Sequence, residues 1–159
     1  MFITLIRHSS AVHDNSFDDF KRELSSKGIE KAKKNAQAVK EQGWVPDLII
    51  SSPADRAIQT AQIFLKPFED KFNEEDIIQI KSLYLPTPDD ILNCIRSIDD
   101  SYSDVFIFSH NNGISWAAQQ LCNNQNIIMP TCSAVRIKFD KESWTNIDFG
   151  TGKKENFLL

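Results

Sequence analysis

The chain has 159 residues, with 18 Lys and Arg side chains against 22 Asp and Glu, which gives a formal net charge of -4. This length suits a single domain over residues 1–159, with a core large enough to fold without disulfides or metals. The chain has no excess of basic residues, so its charge gives no indication of a nucleic-acid partner or of binding to an anionic membrane.

Cysteine usage and hydropathy indicate a reducing compartment. Cys94, Cys122 and Cys132 are an odd number of cysteines without a CxxC or Cys/His spacing, so neither a disulfide framework nor a structural zinc is supported. The start, MFITLIRHSS, lacks the features of a secretory signal, and no run of about 18 apolar residues could span a bilayer. We expect a soluble, cytoplasmic protein.

Short apolar runs alternate with helix-like patterns along the first two thirds of the chain. Residues 2–6, 47–50 and 105–108 are rich in β-branched and aromatic side chains, which is typical of buried strands. Ser25 or Ser26 is predicted to cap a first helix that Gly43 closes, and Pro53 is expected in the first turn of a second helix. The buried face of the first helix is predicted to consist of Ile29, Ala32, Ala36 and Val39.

The remaining elements complete an α/β pattern. A third helix is predicted near Thr87 and Pro88, a fourth after Asn111 and Asn112, and a short strand at residues 77–80. The stretches SAVRIKFD (133–140) and SWTNIDFG (143–150) alternate apolar with polar residues and predict an antiparallel pair. We therefore expect a three-layer α/β sandwich, with a mostly parallel central sheet, helices on both faces and a few strands of opposite sense near the end.

Four basic or imidazole side chains follow the predicted parallel strands where those strands end. Arg7 and His8 follow the first strand, Arg56 lies one helical turn beyond the second, and His110 follows the third. Ligands of open α/β sheets bind outside the carboxyl ends of the parallel strands, so these side chains are predicted to meet at one edge.

This set of side chains suits phosphoryl chemistry. Two guanidinium groups could hold a phosphoryl group from two sides and neutralise its charge. A neutral imidazole with one free ring nitrogen can attack phosphorus, and His8 is placed for that role. His110 could donate a hydrogen bond to the phosphoryl oxygens.

Each residue also has a purely structural interpretation. The arginines could be solvated or salt-bridged, His8 could be a polar cap, and SHNNG around His110 is ordinary turn chemistry. The cysteines are expected to be small core residues. His13 is also interpreted as structural, although His13 and Asp14 together with the other two histidines could form a metal site.

Four blocks of sequence, LIRHSSA, RELSSKG, SSPADRAIQTA and FSHNNGI, resemble in order and spacing those of the histidine phosphatase superfamily, which is phosphoglycerate mutase-like in fold. The short chain looks most similar to the phosphohistidine phosphatases that act on histidine-containing phosphotransfer domains. The resemblance implies that His8 is the phosphorylated nucleophile, that Arg7, Arg56 and His110 bind phosphate, and that Arg22 is a further ligand. It implies no cofactor.

Two departures from the family pattern concern the pocket. Ser9 stands where a glycine is common, and its hydroxyl could bind the phosphate or tighten the turn. Thr131 and Cys132 replace a Thr-Gly pair and bear on packing.

A general acid is harder to assign. Asp89 or Asp90 could serve, although both also suit the first turn of a helix. An alkyl phosphate ester needs such an acid, whereas a phosphorylated imidazole needs much less help.

The expected function is a metal-independent phosphatase that acts through phospho-His8 on a phosphorylated protein or a small phosphorylated molecule. The alternatives are a small-molecule phosphomonoesterase of the same family, a metal-dependent phosphoesterase built on the three histidines and Asp14, and a phosphate-binding module without turnover.

Overall fold

The computed structural model describes residues 1–13 and 18–159. Its regular elements, in chain order, are β1 (Phe2–Arg7), α1 (Ser26–Glu41), β2 (Leu48–Ser51), α2 (Asp55–Leu65), β3 (Ile78–Gln79), α3 (Pro88–Arg96), β4 (Asp104–Ser109), α4 (Gly113–Leu121), β5 (Ala134–Phe139) and β6 (Gly152–Leu158). None of the helices in this described part of the chain has the length and apolarity needed to cross a bilayer.

The six strands form one sheet in the order β3-β2-β4-β1-β5-β6. Strands β3, β2, β4 and β1 are parallel, whereas β5 runs antiparallel to both β1 and β6. The predicted mostly parallel sheet is confirmed, and β5 alone among these strands has the opposite sense.

The sheet separates two apolar clusters, which gives the predicted three layers. Ile3 and Leu5 of β1 belong to the cluster that packs α3 and α4, whereas Ile6 faces the cluster that packs α1 and α2. This alternation follows from the two-residue period of a strand, which directs successive side chains to opposite faces. The predicted three-layer α/β sandwich is confirmed.

The predicted helix boundaries are mostly confirmed by capping interactions. The Ser25 hydroxyl accepts a hydrogen bond from the amide of Gly28 at the start of α1, and Gly43 follows its end with φ +73°. Thr87 and Asp90 form a reciprocal capping box at the start of α3. Pro53, however, lies before α2, which begins at Asp55.

Two predictions about the core need correction. Ile29 is 36% exposed and lies at the margin of the buried face of α1, whose centre is Ala32, Ala36 and Val39. Cys94 and Cys132 are buried as expected, but Cys122 is only half-buried. All three are free thiols.

The predicted antiparallel pair of residues 133–140 and 143–150 is wrong in its second strand. Residues 144–146 form a 3-10 turn, because Trp144 is fully buried and its indole N–H donates to the carbonyl of Tyr102. The partner of β5 is β6, which lies at the sheet edge and exposes Lys153, Lys154 and Glu155. Polar side chains are typical of edge strands, and they conceal the strand from a search for apolar alternation.

Candidate active site

The ends of three neighbouring strands bring the site residues together. Arg7, the last residue of β1, pairs with Ser109 of β4, and Ser51, the last residue of β2, pairs with Phe108 of β4. The residues that follow these strands therefore emerge at one edge of the sheet. They include His8, Ser52 and His110.

His8 presents one free nitrogen to the site. Its Nδ1 lies 2.7 Å from the carbonyl oxygen of Ser9, which can only accept, so Nδ1 carries the proton and Nε2 carries a lone pair. The Nε of Arg56 lies 3.3 Å from that Nε2. Burial, assisted by the charges of Arg56 and Arg7, lowers the pKa of His8 to about 4, so the imidazole is neutral at pH 7.

His110 lies beside His8, with 5.0 Å between the ring centroids. Its Nε2 lies 2.7 Å from the Ser52 hydroxyl oxygen, and its Nδ1 is buried without a hydrogen-bond partner. Burial lowers the pKa of His110 to about 3, with a smaller effect from the neighbouring His8, so this ring is also neutral at pH 7.

Arg7 and Arg56 both lie close enough to His8 for their charges to act on it. Arg7 donates from Nη1 to the carbonyl of Met129 at 2.9 Å, whereas its Nε is buried without a partner. Arg56 has a side chain that is only 4% exposed, and its Nη2 forms a 3.0 Å ion pair with Asp19. The four predicted side chains thus occupy one site.

Two buried polar side-chain atoms lack a hydrogen-bond partner in the part of the chain that the structure describes, and both belong to this site. They are Arg7 Nε and His110 Nδ1. Unsatisfied buried donors are costly, and a ligand that accepts hydrogen bonds would remove that cost. The arrangement suits an oxyanion placed against the free nitrogen of His8.

Hydrogen bonds to three other segments hold the turn after β1 in place. The amide of Ser9 donates to the Thr60 hydroxyl on α2, and the Ser9 hydroxyl donates to the carbonyl of Gly28 on α1. Gly28 is required there because a Cβ atom would lie 2.0 Å from the carbonyl oxygen of Ser10. Cys132, with φ +65°, donates its amide to the carbonyls of Arg7 and His8.

These contacts correct one expectation for Ser9. Its side chain is fully buried, and its hydroxyl proton is used by Gly28, so it tightens the turn and does not face an anion beside His8. Arg22 adjoins the group of four through Asp19, and its charge also acts on His8. Its Nη1 donates to Asp19 at 3.0 Å and its Nε donates to the carbonyl of Val12.

The carboxylates considered as general acids belong to the start of α3. Asp90 accepts hydrogen bonds from the amide and hydroxyl of Thr87, and these bonds lower its pKa. These contacts support the structural interpretation, in which Asp90 is a charge in the first turn of the helix. Asp89 is exposed in the same turn.

The structure describes three of the four residues of the predicted metal site. His13 lies 3.5 Å from a guanidinium nitrogen of Arg22, a cationic neighbour, and Asp14 lies outside the described residues. Within residues 1–13 and 18–159, no three His, Cys, Asp or Glu side chains are grouped as metal ligands would be.

Sequence reasoning missed three contributors to the site: Asp19, Ser52 and Tyr84. Tyr84 packs edge-on against His110, with 5.4 Å between the ring centroids, and its hydroxyl donates to Asp19 at 2.7 Å. Ser52 lies inside the block SSPADRAIQTA and could have been noted there. Asp19 lies three residues before Arg22, but nothing in its local pattern distinguishes it from other surface carboxylates.

Comparisons with known proteins show what this chain is similar to. A model of the histidine phosphatase superfamily (branch 1) matches residues 3–79. An uncharacterized chloroplastic protein of Arabidopsis thaliana is 31% identical over 150 residues, which cover 89% of this chain and 68% of the relative.

Solved structures show the same fold. A SixA protein from Agrobacterium tumefaciens superposes with a TM-score of 0.84 at 22% identity, covering 99% of this chain and 97% of that one. The protein histidine phosphatase SixA in complex with tungstate gives a TM-score of 0.82 at 18% identity, covering 99% and 96%.

Proposed function

The chain belongs to the histidine phosphatase superfamily, and we propose that it is a phosphatase in which His8 carries the phosphoryl group between two displacement steps. One observation supports this most strongly. Arg7 and His110, whose Nε and Nδ1 are buried without partners, are neighbours of the neutral His8, whose unprotonated Nε2 can act as a nucleophile. The tungstate bound by a relative of the same fold is a tetrahedral oxyanion of the kind that this pocket suits.

In the first step, the lone pair of His8 Nε2 forms a bond to phosphorus opposite the leaving group. The bond from phosphorus to the leaving nitrogen or oxygen breaks, and the leaving atom keeps the electron pair. Arg7, Arg56 and His110 donate hydrogen bonds to the phosphoryl oxygens, whose charge the two guanidinium groups offset.

In the second step, water attacks phospho-His8. The bond between phosphorus and Nε2 breaks, its electron pair returns to the imidazole, and inorganic phosphate leaves. The hydrogen bond from Nδ1 to the Ser9 carbonyl holds the ring in one tautomer through both steps. The surplus water proton passes to solvent.

The proposed substrate is a phosphohistidine of another protein, such as a histidine-containing phosphotransfer domain. A phosphoramidate leaves without a strong acid, and Asp19, a carboxylate that contacts Arg56, is held ionised by Tyr84 and two arginines. Residues 66–87, between α2 and α3, form short 3-10 turns and β3 and leave little chain for a lid.

The segments that adjoin the pocket also expose apolar side chains, which favours a protein substrate. Leu85 follows Tyr84, Trp116 lies in the first turn of α4, and Ile128 precedes Met129; their exposed fractions are 57%, 51% and 70%. Exposed apolar groups around a polar pocket are typical of a surface that meets another protein.

A panel of substrates tests this proposal. A phosphohistidine protein should be hydrolysed with kcat/KM at least about 100-fold above that of any alkyl phosphate monoester, with aryl phosphates between them. Trp116→Ser should lower kcat/KM for the phosphoprotein but not for an aryl phosphate. If a sugar phosphate is the best substrate, the alternative of a small-molecule phosphomonoesterase replaces the protein phosphatase.

Metal independence and location are further parts of the proposal. Arg7 and Arg56 supply the positive charge that divalent ions supply in metal-dependent phosphoesterases. A chelator should leave the rate unchanged, whereas loss of activity that an added metal restores would favour the metal-dependent alternative.

The three free thiols favour a reducing compartment such as the cytoplasm.

A further inference from the structure

Asp19 joins three side chains at the outer wall of the pocket. It begins a 3-10 turn, Asp19–Lys21, between β1 and α1. One carboxylate oxygen, Oδ2, accepts from Arg56 Nη2 at 3.0 Å and from the Tyr84 hydroxyl at 2.7 Å. The other, Oδ1, accepts from Arg22 Nη1 at 3.0 Å.

The contacts between Asp19 and Arg56 involve only the end of the guanidinium. The Asp19 backbone carbonyl accepts from Nη1, and its carboxylate accepts from Nη2. The Nε–H is directed at His8 Nε2, 3.3 Å away. One side edge of the guanidinium, made of the Nε–H and the second hydrogen on Nη2, therefore faces His8. An oxyanion beside His8 can accept from this edge once the Nε–H is no longer donated to His8 Nε2, as when that nitrogen bonds to phosphorus.

The Asp19 carboxylate also holds the Tyr84 ring beside His110. Tyr84 is held by its hydroxyl on Asp19, and its ring packs edge-on against both His110, at 5.4 Å, and Phe20, at 5.1 Å. Phe20 follows Asp19 in the turn, so the turn and Tyr84 support each other.

Asp19 carries its negative charge throughout the working pH range. The hydrogen bond from Tyr84, followed by those from Arg22 and Arg56, holds the pKa of the carboxyl well below its usual range. A carboxylate in this state cannot donate a proton to a leaving group. Its position fits a role in orientation.

We propose that Asp19 is a positioning residue, which holds the end of Arg56 so that the side edge made of Nε and Nη2 faces the phosphoryl group on or near His8. This inference rests on the proposed function of the site. An arginine side chain has several rotatable bonds, and orienting it in advance lowers the cost of binding the transition state.

A double-mutant cycle tests whether Asp19 acts through Arg56. With an aryl phosphate as substrate, Asp19→Asn should lower kcat about 10- to 100-fold, as loss of an orienting partner commonly does, with a much smaller change in KM. Vanadate, which mimics the pentacoordinate phosphoryl group, should inhibit this variant more weakly. The double variant Asp19→Asn, Arg56→Ala should be no slower than Arg56→Ala alone, within about threefold.

Asp18→Asn is the matched control. Asp18 carries the same charge one residue earlier and caps the same turn through the amide of Phe20, but it is not among the groups that contact Arg56. It should keep kcat within about twofold of the wild type. Thermal melting of every variant establishes that each one is folded.

Three results would overturn the inference: a kcat for Asp19→Asn within twofold of the wild type, a further loss of the same size in the Arg56→Ala background, or a gain in kcat/KM. A gain would mean that Asp19 competes with the substrate for Arg56. None of these bears on the proposed function, which fails separately if His8→Ala retains the activity of the wild type.

Discussion

The imidazole of His110 and the hydroxyl of Ser52 lie 2.7 Å apart, fully inside the protein, where β4 and β2 end. The Ser52 oxygen also accepts from the amide of Ala54 at 3.3 Å, and its own proton can be donated to His110 Nε2. With Nε2 as the acceptor, the ring proton sits on Nδ1, the buried atom that has no partner. We infer that Ser52 favours the tautomer in which His110 can donate to a phosphoryl oxygen.

Ser52→Ala should remove the preference of His110 for this tautomer. Because Nε2 would lose its donor, the ring could carry its proton on either nitrogen, and kcat should fall about 10-fold or more. Ser51→Ala is the control, since that hydroxyl is equally buried but donates to the Ser52 carbonyl. Steady-state kinetics that show equal losses for both variants would contradict the tautomer role.

The two neutral histidines make the folded state sensitive to acid. Folding lowers the pKa of His8 to about 4 and that of His110 to about 3, so between these values and about 6.5 the unfolded chain binds more protons than the folded one. The free energy of unfolding should therefore decrease as the pH falls below 6.5, by about 2 kcal/mol for each histidine at pH 5.

Urea unfolding at pH 7 and pH 5 measures this loss of stability. A His8→Gln, His110→Gln double variant should lose much less between the two pH values than the wild type does. His13→Gln, which alters an exposed histidine, should behave like the wild type. The same pH dependence in all three proteins would show that other groups cause it.

Arg7→Lys tests the need for a planar guanidinium. Arg7 uses Nη1 for the Met129 carbonyl and keeps Nε free for a ligand, and a single ammonium group cannot serve both. We expect kcat/KM to fall at least about 100-fold, or roughly 2.7 kcal/mol of transition-state stabilisation. Arg96→Lys, which changes an arginine whose Nε donates to the Ile147 carbonyl, should stay near the wild type.

The main chemistry of the site follows from the sequence because topology decides it. Arg7 ends a parallel strand, His8 and His110 directly follow one, and Arg56 lies in the first turn of the helix after one. The carboxyl ends of parallel strands meet at one edge of the sheet. The fold class is predictable for a related reason, since the alternation of buried strands and amphipathic helices allows few arrangements.

Other features depend on contacts that a local pattern does not carry. The hydrogen bond between Tyr84 and Asp19 joins residues 65 positions apart, and the partner of Arg7 is the backbone carbonyl of Met129, which any residue could supply. Strand β6 is polar because it lies at the sheet edge, and the burial of Trp144 breaks the strand that alternation predicts.

The measurement that tests the account most directly is a search for phospho-His8. The protein is mixed with a phosphoryl donor labelled at phosphorus, quenched rapidly without acid, and digested to locate the label. The account predicts an acid-labile, base-stable phosphoenzyme with the label on His8, and neither label nor turnover in His8→Ala. Label on any other residue, or undiminished turnover in His8→Ala, would contradict it.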